Sequence, residues 1–145
     1  MKNDYFVYKT HIDFTIVSNE VSPDLITNEL NINPSRHFRK GDKSISKHSG
    51  SVTVKPHNLW SLQSISSELI EEKISHHISY LKTILSSKVD ILKKYKSNPN
   101  FEISFWIWIE TDNSGIGVNL DNDEMDFLNS ISNKIHFSFI GNVPN

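Results

Sequence analysis

Seven histidines are the first residues of this 145-residue chain that could ligate a metal or move a proton near neutral pH. His76 and His77 are adjacent in a helical stretch, so their rings point about 100° apart and share a ligand poorly. No two histidines stand four apart on a helix. His37, His48 and His57 lie in or near a basic stretch with little carboxylate to orient their rings. Surface histidines that titrate are therefore expected, with no metal site and no cofactor. Cysteine is absent, which removes thiol nucleophiles, disulfides and thiolate zinc sites. Serine is plentiful, but there is no Gly-x-Ser-x-Gly elbow, and a Ser-x-x-Lys string such as Ser44–Lys47 lies in an unpatterned stretch. Asp112, Asp121, Asp123 and Glu124 could supply a carboxylate pair, yet acids at 121–124 are also what a helix N-terminus favours, and Asp112 suits a turn. Lys40–Gly41–Asp42 reads as a turn and not as a phosphate loop. The expectation is a protein that is not an enzyme, with an uncharacterised hydrolase as a minor alternative.

Recognition chemistry is better represented. Arg36, Arg39, Lys40, Lys43 and Lys47, with Phe38 and His37, combine cations for phosphate with an aromatic for base stacking. The isoelectric point of 6.4 argues against a nucleic-acid domain, so this basic loop stands as an alternative site only. Trp106 and Trp108 fall on the side of a strand opposite its apolar stripe. Either another layer covers them, or they form an aromatic patch beside Glu110, Asp112, Asp121, Asp123, Glu124 and Asp126. Aromatic anchors within a charged surround are typical of tight protein interfaces.

The elements that must position these residues follow from periodicity. His11–Ile16 alternates apolar and polar, a strand with one buried face. Ser22–Pro23–Asp24 opens a helix carrying Ile26 and Leu30, ended by Asn33–Pro34. Residues 35–50 read as a long exposed loop, and Val52, Val54, Trp60 and Leu62 as one or two strands interrupted near Pro56. Ser66 or Ser67 caps a long helix with acids at Glu68, Glu71 and Glu72, the apolar stripe Ile70, Ile74, Ile78, Leu81, Leu85, and Lys93, Lys94 and Lys96 at its end. Continuity through Ser86–Ser87 is left open. Phe101–Ile109 is the strongest strand signal. Turn residues 112–115 lead to a short strand at Ile116, Val118 and Leu120, then to a helix with the face Met125, Leu128 and Ile131, and a last strand Ile135–Phe139 closes at Gly141. The order β-α-β-α-β-β-α-β predicts an α+β fold, an antiparallel or mixed sheet with helices on one face, ferredoxin-like topology being the nearest match.

Length fits one domain spanning 1–145, able to bury roughly 70% of its unfolded surface. No secretory signal and no apolar run near the ~18 residues of a membrane span are seen, which predicts a cytoplasmic protein. Alanine is absent and Arg occurs twice among abundant Ile, Asn, Lys and Ser, the imprint of an A/T-rich gene. The formal charge of −2 conceals a segregation: residues 35–57 carry +5 and residues 97–133 carry −7.

Leu30–Asn31–Ile32–Asn33–Pro34, Phe38–Arg39–Lys40–Gly41–Asp42, Leu59–Trp60–Ser61–Leu62 and His77 with Leu81 together resemble the bacterial family catalogued as domain of unknown function 4279, over roughly residues 12–140. The resemblance implies no established enzymatic activity. Some members are similar in size and setting to immunity proteins that neutralise toxins passed between competing bacteria, as in contact-dependent growth inhibition. Trp60 then reads as a core plug and Lys40–Gly41–Asp42 as a fixed turn, unless they serve function. The combined expectation is an immunity or antitoxin protein that binds a cognate, basic, nuclease-like toxin domain through the acidic and aromatic surface. The basic loop 36–47 as a nucleic-acid or phosphate-ligand site is the alternative.

Overall fold

Ile12, Phe14 and Ile16 of β1 (Val7–Ser18) alternate with His11, Asp13 and Thr15, and this alternation organises the molecule. The computed structural model describes residues 7–65, 73–111 and 117–141, the side chains of residues 7 and 8 excepted. Strand β6 (Phe101–Thr111) pairs antiparallel with β1, setting Ile103, Phe105 and Ile107 opposite Ile16, Phe14 and Ile12. β5 (Asn58–Gln63) pairs along the other edge of β1, adding Trp60 and Leu62 to the same face. The edges are β2 (Arg36–Phe38), antiparallel to β5, and β7 (Lys134–Gly141), parallel to β6. The sheet order is β2-β5-β1-β6-β7, and β3 (Lys43–Ile45) with β4 (Val52–Val54) forms a separate hairpin.

Helices α1 (Pro23–Leu30), α2 (Ile74–Leu85), α3 (Val89–Ser97) and α4 (Asn122–Ile131) place Ile26, Leu30, Ile78, Leu81, Leu85, Leu92, Phe127, Leu128 and Ile131 in one cluster with the core-facing strand residues. Among the described residues every helix thus packs on one side of the sheet. Leu59, buried but turned the other way in β5, lies outside that cluster. No described helix is long and apolar enough to cross a membrane.

The α+β expectation with helices on one face holds, and several details differ. β6, α4 and β7 make a direct β-α-β with the two strands adjacent, so this edge is not the split unit of a ferredoxin-like sheet. The stretch 35–50 is exposed as expected, but Gly41 at φ +92° turns the chain so that β2 and β3 form within it. Residues 117–120 are in no strand, and Ile116 lies outside the described residues. So do Ser66, Ser67, Glu68, Ile70, Glu71 and Glu72, the expected start of the long helix. That helix is interrupted: a 3₁₀ turn at Ser86–Lys88 separates α2 from α3. α1 ends early, where Asn31 adopts the left-handed conformation (φ 53°) and its N–H donates to the Thr27 carbonyl. Met125 is exposed, and Phe127 takes its expected place in the core.

Two polar devices fix the core. The Trp60 indole donates to Thr27 Oγ1 at 3.0 Å, tying β5 to α1. Ser64 Oγ accepts from the Ile12 N–H at 2.8 Å and lies 2.6 Å from His77 Nδ1, tying the end of β5 to β1 and α2. Trp60 is therefore the core plug that the resemblance implied.

Candidate partner-binding face

Because β-strand side chains alternate, filling one face of β1 and β6 with apolar residues sends His11, Asp13, Trp106, Trp108 and Glu110 to the other. No described helix lies on that helix-free face. Register then builds a row of rings across three strands: His11 stacks on Trp108 (centroids 6.0 Å apart, 19° between planes), Trp108 on Trp106 (6.1 Å, 18°), and Trp106 meets His136 of β7 (4.1 Å, 41°).

The two tryptophans differ in commitment. Trp108 Nε1 donates to Asp13 Oδ2 at 3.0 Å. The other oxygen, Asp13 Oδ1, is buried and accepts no hydrogen bond, its nearest cationic candidate being His11 Nε2 at 3.8 Å. The Trp106 indole makes no hydrogen bond to a described residue. Trp108 is thus a positioned wall and Trp106 an amphipathic ring with an unused donor, the type of group that anchors a partner.

The other expected site residues are dispersed. Glu110 shares the face with the tryptophans, opposite Lys9 of β1 and Ile140 of β7. Asp112 lies outside the described residues. Asp121, Asp123, Glu124 and Asp126 belong to α4 and its cap, in the helix layer across the sheet from the tryptophans. Asp121 and Glu124 form a capping box: the Glu124 N–H donates to Asp121 Oδ1 at 2.8 Å, and the Asp121 N–H to Glu124 Oε1 at 3.0 Å. Asp123 and Asp126 are exposed. The single acidic and aromatic surface expected from sequence is therefore divided, because the Trp side of β6 and the α4 side are opposite faces of one sheet.

The basic loop is divided too. Arg36 projects from β2 on the helix-free face, next to Ser61. Arg39 pairs with Asp24 of α1, and that carboxylate, through its hydrogen bond and charge, raises the guanidinium above its ordinary pKa. Lys40–Gly41–Asp42 is a fixed turn: the Lys40 N–H donates to Asn58 Oδ1 (2.9 Å), the Gly41 N–H to the Lys55 carbonyl (2.8 Å), and the Arg39 N–H to Asp42 Oδ2 (2.8 Å). Lys43 and Lys47 ride outward on the β3–β4 hairpin. Phe38, the candidate base platform, is already flanked by His57 (5.8 Å) and by Lys55 Nζ, 4.6 Å from its centroid.

Sequence reasoning passed over His11, Asp13 and His136 as members of a site, although the alternation of β1 already opposed His11 and Asp13 to the apolar stripe. It also passed over Ser64, whose contact with His77 resembles a nucleophile and base. Ser64 is 0% exposed and His77 4%, so no substrate reaches the pair, which serves packing. No group of three or more metal-ligating side chains occurs among the described residues.

Comparison with curated proteins and with solved structures gives no match. The family model described as Domain of unknown function (DUF4279) matches residues 8–142, and the chain belongs to that family.

Proposed function

We propose that this chain is an immunity-type protein that acts by binding, in the cytoplasm, and neutralises one cognate toxin domain through the helix-free face around Trp106. The observation that carries the reading is the ring row His11–Trp108–Trp106–His136, half-buried for the most part, with the Trp106 indole donor unused. Large rings already ordered by neighbours lose little conformational entropy on binding and dominate interface energetics. The setting, a toxin passed between competing bacteria, is what the resemblance given with the sequence implies. The segregated charge adds a steering role: exposed Asp123 and Asp126 attract a basic, nuclease-like domain, while the aromatic face holds it.

The test is kinetic, with a basic toxin domain that co-purifies with this chain as ligand. Trp106→Ala is expected to raise the dissociation rate, and Asp123→Lys/Asp126→Lys to lower the association rate at low salt with little effect at high salt. Unchanged dissociation in Trp106→Ala removes the aromatic face from the reading. Saturable binding of short RNA or DNA, lost in Lys43→Glu/Lys47→Glu, would favour the basic loop instead.

A further inference from the structure

Strand β7 ends the sheet with eight residues whose outer edge pairs with no described strand. Such an edge is a template for another strand unless blunted by proline, a bulge or charge. β7 has no proline, its pairing with β6 runs without a register shift, and its one lysine, Lys134, stands at its start, about 16 Å from Phe139. The opposite edge, β2, offers only three residues.

Beside the distal half of β7 lies an apolar groove of about 530 Å³, lined by Val118, Asn119, Leu120, Met125, Phe137 and Phe139. Phe137, Phe139 and Met125 are 37%, 52% and 44% exposed, on the helix side of the sheet. The surroundings are acidic in sequence: Asp121 follows Leu120 as the cap of α4, Asp123 and Asp126 stand on its first turns near Met125, and no Lys or Arg occurs between residues 97 and 133. Asp123 and Asp126 form no ion pair with a described residue.

We propose that the outer edge of β7 and the groove between β7 and α4 form a site for strand addition by an extended segment of a partner protein that alternates apolar and basic side chains. The edge supplies main-chain hydrogen bonds, the groove takes every second, apolar side chain, and the carboxylates of Asp123 and Asp126 select the basic remainder. The acidic first turns of α4 beside the groove argue against a second copy as occupant, since two such helix ends would repel. This site shares Asp123 and Asp126 with the steering role proposed above but lies across the sheet from Trp106, so Trp106→Ala and Phe139→Ser separate the failure of one from the failure of the other.

The experiment is fluorescence anisotropy of the full chain with a labelled octapeptide alternating lysine and leucine, at low salt. Saturable binding is expected, weakened about tenfold or more by Phe139→Ser and by Asp123→Lys/Asp126→Lys, and unchanged by Trp106→Ala. Methylating the backbone nitrogens of one alternate set of peptide residues should abolish binding, and methylating the other set should not. The proposal is overturned by equal binding of a glutamate–leucine peptide or of a lysine–leucine peptide without alternation. It is equally overturned by unaltered affinity in a natively folded Phe139→Ser, by loss of binding in Trp106→Ala, by no saturable binding, or by a dimer in sedimentation equilibrium that the peptide does not dissociate.

Discussion

Replacing Trp108 by Phe separates the folding role of the ring row from its binding role. The substitution keeps a ring against His11 and Trp106 but removes the donor that reaches Asp13 Oδ2 at 3.0 Å. Asp13 Oδ1 already accepts no hydrogen bond, so the carboxylate would keep no side-chain donor among the described residues except His11, at 3.8 Å. A hydrogen bond to a charged group contributes about 1.5–3 kcal/mol. With the Asp13 side chain 15% exposed, water recovers part of this, leaving about 1–2 kcal/mol. The smaller ring adds about 1 kcal/mol of lost apolar burial whatever stands at position 13. Trp108→Phe alone should therefore destabilise by about 2–3 kcal/mol. In the cycle with Asp13→Val the two changes should fall short of additivity by about 1–2 kcal/mol. Urea unfolding followed by far-ultraviolet circular dichroism avoids the altered tryptophan fluorescence and measures both. A coupling below about 0.5 kcal/mol would refute the reasoning, because the indole would then not be what holds Asp13.

Three further outcomes are expected. Ser64→Ala takes the acceptor from the buried Ile12 N–H and a partner from His77 Nδ1, so urea unfolding should show a loss of about 2–4 kcal/mol; a loss under about 0.5 kcal/mol would mean that the network is not structural. Asp121→Ala breaks the capping box of α4 and should cost about 1 kcal/mol, read by the same assay, with no change at the tryptophans. Burial first, then the hydrogen bond to Glu29, raises the Tyr95 phenol well above its ordinary value; the unfolded state then releases this proton first, so stability is full below about pH 10 and falls as pH rises above it. Tyr95→Phe should flatten that alkaline slope, and an unchanged slope would assign it to other groups.

What the sequence made legible was whatever repeats with a short period. The alternation at Ile12–Ile16 and Ile103–Ile109 identified both central strands and their buried faces, and the acids at 121–124 marked the start of α4. Register between distant strands has no local signature. The neighbours of Trp106, namely Asp13 from 93 residues earlier and His136 from 30 later, come together only through pairing. Adding charges along the chain likewise could not reveal that Glu110 and Asp123 lie on opposite sides of a sheet. In the stretch 35–50, strands of three residues carry too few alternations to register as a period. Met125 and Phe127 both fit a helical stripe loosely, and packing against Phe105 chose Phe127.

The account stands most directly on Trp106. On the function proposed above, the decisive measurement is the dissociation rate between this chain and a basic toxin domain that co-purifies with it, for the native sequence and for Trp106→Ala. The account predicts at least about a tenfold faster dissociation in the variant, with unfolding stability changed far less and growth protection on co-expression lost in parallel. Equal dissociation rates with protection intact would contradict it.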